Sequence, residues 1–123
     1  MTNSRRLQRL YGIFRLVVDN AHGNTAGFHG SLNYNSLYDV LFELDVFGSI
    51  FLDCGAGDGK IMAAAMIMGA SAVHGFELPQ NNANKFIFDA AMQRIVTDKC
   101  FNQPSLHHAH LEMTDIAMVS YRQ

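Results

Sequence analysis

The chain has few cysteines, little net charge and no long apolar run, and each shortage removes a class of protein. Two cysteines in 123 residues, Cys54 and Cys100, lie far apart and make no disulfide framework. With six histidines beside them they point to a reducing compartment. A net charge of −2 gives no global electrostatic footprint for nucleic acid. The longest apolar run, Ile61–Ala70, is too short to cross a bilayer, so no membrane is expected. Arg9 and Arg15 interrupt what would be the apolar region of a signal peptide behind Arg5 and Arg6. No internal repeat or low-complexity tract is present. What is there is hydrophobic content of 49%, including nine phenylalanines, enough for a core near the low end of α/β domain size. One soluble intracellular domain, 1–123, is expected.

The chain is organised around Ile50-Phe51-Leu52-Asp53-Cys54-Gly55-Ala56-Gly57-Asp58-Gly59-Lys60. An apolar run ends in an acid, enters a loop with glycine at alternate positions, and opens into the Ala/Met-rich stretch Ile61–Ala70. That pattern predicts a buried strand, a tight turn and a helix N-terminus. Gly55, Gly57 and Gly59 place no Cβ in the turn, so a ligand can lie against the backbone, and the first helix amides point at it. A phosphate-binding P-loop requires G-x-x-x-x-G-K-[ST], but Cys54 stands at its first glycine and Ile61 at its hydroxyl. The dinucleotide fingerprint G-x-G-x-x-G is one residue longer than the G-x-G-x-G here. Glu77 does follow at the distance that fingerprint places its acid, so a nicotinamide-dependent oxidoreductase stays open as the alternative.

Before this centre, Leu7, Leu10, Tyr11, Phe14, Val17 and Val18 recur at helical spacing and predict an amphipathic helix ending near Asp19-Asn20. The arginines 5, 6, 9 and 15 read as a solvated face, with an acidic partner, a nucleic-acid backbone or a cofactor carboxylate as the sharper reading. A glycine-rich loop over 21–30 holds His22 and His29. Asn33-Tyr34-Asn35-Ser36 offers caps for a second helix through Leu37, Tyr38, Leu41, Phe42 and Leu44, stopping near Phe47-Gly48. Ser49–Cys54 predicts a first strand, apolar on both faces until its end. Lys60–Gly69 predicts a helix whose alanines permit close approach to the sheet and whose Met62, Met66 and Met68 fill gaps. Ala72–Glu77 predicts a second, parallel strand. Pro79 opens a helix carrying Phe86, Ile87, Ala90, Ala91 and Ile95 on its buried face. Leu106–Met113 reads as a third strand.

Phe51 to Gly59, Phe-Leu-Asp-Cys-Gly-Ala-Gly-Asp-Gly, resembles motif I of the class I (seven-strand, Rossmann-like) S-adenosylmethionine-dependent methyltransferases. Ala72-Val73-His74-Gly75-Phe76-Glu77-Leu78 resembles their second strand, which ends in the acid that holds the ribose. The physics agrees with the pairing. S-adenosylmethionine has no pyrophosphate, so Asp58 within the loop would repel a phosphate but not a sulfonium zwitterion, and a carboxylate at Glu77 can accept both ribose hydroxyls. The resemblance covers roughly 32–115. It implies a partial Rossmann-like three-layer α/β/α fold with a parallel sheet of about three strands, preceded by two helices. Residues 1–47 would supply those helices and a cofactor-covering loop, and 48–123 the β-α-β-α-β cofactor half. It places Asp53, Cys54, Gly55, Ala56, Gly57 and Gly59 at the methionine part of the cofactor and Glu77 with Leu78 at the ribose. Asp115, after the third strand, falls near the adenine amino group.

The segment His29-Gly30-Ser31-Leu32-Asn33-Tyr34 is loosely similar to the Tyr-Gly-Glu loop of the non-SET histone-lysine methyltransferases, the family named for disruption of telomeric silencing, and lacks the glutamate. The order of helix, Phe-Leu-Asp-x-Gly-x-Gly, Ala-rich helix and Gly-Phe-Glu is similar to theirs. A protein lysine is the methyl acceptor that this implies.

After the third strand only Ile116–Gln123 follows, so the fourth strand and the acceptor-site residues of such an enzyme are absent from the chain. No catalytic residue can be assigned. Ser49–Cys54 would then be an apolar sheet edge, open to pairing with another chain. A piece of a longer enzyme is expected, with a non-catalytic interaction module as a further alternative. His107, His108 and His110 suggest a metal, but strand alternation sends His107 to the opposite face from the other two, and no metal site is expected.

Overall fold

The structure is a computed structural model that describes residues 2–19, 32–78, 82–101 and 111–115, with 19, 82 and 111–115 described by their backbone alone. The order is α1 (Asn3–Asp19), α2 (Tyr34–Glu43), β1 (Ile50–Cys54), α3 (Lys60–Ile67), β2 (Ala72–Glu77), α4 (Asn82–Thr97) and β3 (Leu111–Asp115). The three strands form one parallel sheet in the order β1-β2-β3. Parallel neighbours need a crossover, and α3 and α4 supply the two helical crossovers of a partial Rossmann-like α/β fold. The segment 21–30, the helix start at Pro79 and the three histidines His107, His108 and His110 lie outside the described residues.

The apolar spacing of α1 and α2 puts Leu7, Leu10 and Phe14 with Leu37 and Leu41 in the interior, all 1% exposed or less. They meet Met62 and Ala63 to Ala65 of α3, Val73 of β2, and Ile87, Ala91 and Ile95 of α4. Asn33 caps α2, its side chain accepting the Ser36 amide at 2.8 Å. Arg9 of α1 reaches the residue after α4, its Nε donating to both oxygens of Asp98 at 3.1 and 2.9 Å. Two of the four arginines thus have partners within the protein, Arg9 while staying half exposed and Arg6 through Nη1, which donates to Asn3 Oδ1 at 2.9 Å.

Gly75 sets how closely α3 approaches the sheet. A Cβ there would fall 2.0 Å from the Met62 sulfur and 2.9 Å from the Ala56 Cβ. Along β2 the side chains alternate, with Val73, Gly75 and Glu77 buried and Ala72, His74 and Phe76 half-buried. Glu77 is held from α4 and Gly75 faces α3, so both crossovers lie over this one face.

Strand β1 departs from the reading as a segment buried on both sides. Ile50 is 70% and Leu52 60% exposed. Strand β1 forms the sheet's border, and among the described residues no helix lies over the face on which Ile50, Leu52 and Cys54 stand. No helix among the described residues is long and apolar enough to cross a membrane.

Candidate functional site at the ends of the first two strands

The turn after β1 is built from left-handed backbone. Gly55, Gly57 and Gly59 have φ of 86°, 57° and 84°, a region that side chains with a Cβ rarely adopt. The amides of Gly55 and Ala56 both donate to the Phe76 carbonyl, at 2.7 and 2.8 Å, and bind the turn to the end of β2. Gly59 is the N-cap of α3 and has no side chain to serve it. Asp58 takes over, accepting the Lys60 amide at 3.1 Å through Oδ1, with the Lys60 ammonium 4.0 Å from Oδ2. The expectation that these first amides all await a ligand is corrected here. The amides of Gly55, Ala56, Gly59 and Lys60 are all engaged within the protein, that of Gly59 by the Ala56 carbonyl at 2.9 Å, and Asp58 acts as a cap. Gly55 has open space where a Cβ would be, whereas Ala56, Gly57 and Gly59 are buried.

Register brings the predicted acids together. Asp53 pairs with Gly75, and Glu77 lies two residues further along β2, so both project from the helix-covered face. Glu77 is 7% exposed. Its Oε1 accepts the Leu78 amide at 2.9 Å, and its Oε2 accepts Asn84 Nδ2 at 3.2 Å. Burial, with the charge of Glu77 added, pushes the Asp53 carboxyl above the ordinary range. Asp53 Oδ2 and Asn84 Oδ1 are buried and have no hydrogen-bond partner. Each such atom costs about 1–3 kcal/mol if nothing donates to it.

Cys54 is exposed on the opposite face, away from the acids. Leu78 contributes its amide to Glu77. Asp115 is paired with Glu77 in register, which places its backbone beside the site. Asn84, Gly75 and the capping role of Asp58 were not found from sequence. The cluster Asn81, Asn82, Asn84 reads equally as helix-start residues, and nothing in the spacing singles out the third.

A cavity of about 550 Å³ is lined by Tyr11, Phe14, Arg15, Tyr34, Asp58 and Lys60 among others. It does not include Asp53, Gly55 or Glu77. The Lys60 ammonium stands 4.7 Å from the Tyr11 ring centre, and Tyr34 meets Tyr11 edge-on at 6.1 Å. The Tyr11 hydroxyl donates to the Leu32 carbonyl. Burial, with the charge of Asp58 added, pushes the Tyr11 phenol up to about 12. Among the described residues no group of three His, Cys, Asp or Glu is placed to hold a metal.

No family model matches the chain, and no curated protein matches it. Among solved structures it is similar to a candidate RNA methyltransferase from Pyrococcus horikoshii, with a TM-score of 0.44 and 17% identity. That match covers 85% of this chain and 51% of the other, so the chain spans about half the length of that structure.

Proposed function

We propose that the chain binds S-adenosylmethionine across the ends of β1 and β2 and forms the cofactor-binding part of a methyltransferase. The observation that supports this best is the pair of strand-end acids on one face, one of them with a buried oxygen that no donor reaches. A ligand that suits such a place brings donors and positive charge. S-adenosylmethionine has an ammonium, a sulfonium and two ribose hydroxyls, and the residues fit it. Glu77 is already oriented by Leu78 and Asn84 to accept from the ribose diol, and the unanswered Asp53 oxygen suits the ammonium. Acids at 53, 58 and 77 disfavour a pyrophosphate in the same place.

When bound, the cofactor supplies an electrophilic methyl group; this chain would bind it and fix its direction, which is the larger part of catalysis by positioning. A protein lysine is the acceptor we propose, from the order of the motifs. We also place a further strand on β1 and a covering layer on its open face, from this chain's continuation or another chain, because Ile50 and Leu52 stand exposed there.

Titration calorimetry tests the cofactor. Binding of S-adenosylmethionine and S-adenosylhomocysteine is expected. Binding of NAD with no response to either would overturn the reading in favour of an oxidoreductase.

A further inference from the structure

Asn84 lies in the first turns of α4 and is 3% exposed, one of three buried polar residues among those described. Its Nδ2 donates to Glu77 Oε2 at 3.2 Å. The direction of this amide is fixed by chemistry, since reversing it would set a carbonyl oxygen against a carboxylate oxygen. The Asn84 Oδ1 must therefore turn away from Glu77, and there it is buried with no donor. Across the same sheet face, Asp53 Oδ2 is in the same condition. Two buried acceptors without donors thus accompany one carboxylate that two donors already orient. The amide is suited to a double task, giving a proton to Glu77 and taking one from an occupant. Leucine could do neither, and aspartate would set two carboxylates against each other.

We propose that Asn84 is a recognition residue of the nucleoside site, its Oδ1 accepting one hydroxyl of the ribose cis-diol while Glu77 accepts the other. This rests on the cofactor reading above and adds to it a residue outside both the glycine turn and the strand end. Reading the diol jointly makes the site selective for an unmodified ribose, because a deoxy sugar leaves one acceptor unanswered and a phosphorylated one brings an anion to it.

The test is calorimetric titration of the full chain with S-adenosylhomocysteine and with its 2′-deoxy and 3′-deoxy forms. The native chain should bind each deoxy form about tenfold more weakly than the parent. Asn84→Leu should bind the parent about tenfold more weakly than the native chain does, and loss of one of the two hydroxyls should cost this variant nothing further. If Asn84→Leu discriminates against both deoxy forms as strongly as the native chain, the assignment of Asn84 is overturned and the cofactor reading stands. If the native chain binds neither S-adenosylhomocysteine nor S-adenosylmethionine, the cofactor reading falls and this role with it. Circular dichroism checks that the variant is folded. Should leucine prevent folding, Asn84→Ser is read by the same two outcomes, lost discrimination in favour and full discrimination against.

Discussion

Asp53 and Glu77 stand on one face of neighbouring parallel strands, two register positions apart, and the charge of Glu77 adds to burial in holding the Asp53 carboxyl above its ordinary range. The site therefore works against the empty chain's stability. A folded state that raises a carboxyl pKa binds the proton more tightly than the unfolded state does, so stability falls as pH rises.

Asp53→Asn exploits this. The loss of stability is absent below the ordinary aspartate value of about 3.9 and grows until pH passes the raised folded value. The variant should melt a few degrees above the native chain at pH 7, with the difference closing as pH drops below about 4. It should also bind S-adenosylmethionine more weakly. A native chain that melts at or above the variant at pH 7 would remove the conflict claimed for Asp53.

Glu77→Gln keeps the size of the side chain and one acceptor, and removes the charge. Its affinity for S-adenosylmethionine should fall by roughly thirtyfold, the value of about 2 kcal/mol for a charge-assisted hydrogen bond. Equal affinities in titration calorimetry would show that the ribose is held elsewhere.

Gly75→Ala should destabilise the fold. The new Cβ meets the Met62 sulfur, on a side chain that is itself fully buried, and the Ala56 Cβ, which cannot swing away. Overpacking of this kind costs about 1–3 kcal/mol. Chemical denaturation should show the loss, and with Met62→Ala the double variant should lose less than the two single losses added together. Full stability in the single variant would mean that α3 is free to lift from the sheet.

The Arg9–Asp98 pair supplies a pH dependence of opposite sign. The hydrogen bonds from Arg9 are the largest cause holding the Asp98 carboxyl below its ordinary range, and the Cys100 amide, at 2.8 Å from Oδ1, adds to them. That stability is present above the ordinary aspartate pKa and is lost as pH falls through the lowered folded value. Arg9→Ala should therefore melt slightly below the native chain at pH 7 and low salt. The gap should shrink as pH falls below the ordinary aspartate value of about 3.9, and at high salt, because the pair is exposed. A gap independent of both would point to packing by the arginine stem instead.

Leu52→Lys tests the open border of the sheet. Lysine on a sheet edge discourages pairing, and Leu52 is 60% exposed in the middle of β1. Light scattering should show less self-association in the variant than in the native chain. Unchanged association would mean that another part of the chain drives it.

The fold was legible where chemistry is local. Periodicity gave α1, the Asn33 cap gave the start of α2, and apolar runs ending in acids gave β1 and β2 within a residue. The glycine turn was legible because its backbone angles exclude most other residues. What the sequence hid depends on contacts between distant parts. Burial of Gly75 against Met62, the grip of Asn84 on Glu77 and the reach of Arg9 to Asp98 each need the folded sheet before they have meaning. The exposure of Ile50 and Leu52 was only half foreseen. A continuous apolar run reads as doubly buried, and whether a second layer covers it is a property of topology rather than of the run.

The stagger between Asp53 and Glu77 acts as a measuring device. Two residues of rise along a strand and one step between strands separate their Cα atoms by about 8 Å on the diagonal. A compact sugar reaches one end of that diagonal and leaves the other idle. A long molecule with a polar group at each extremity touches both, so molecular length would be selected before any single atom is.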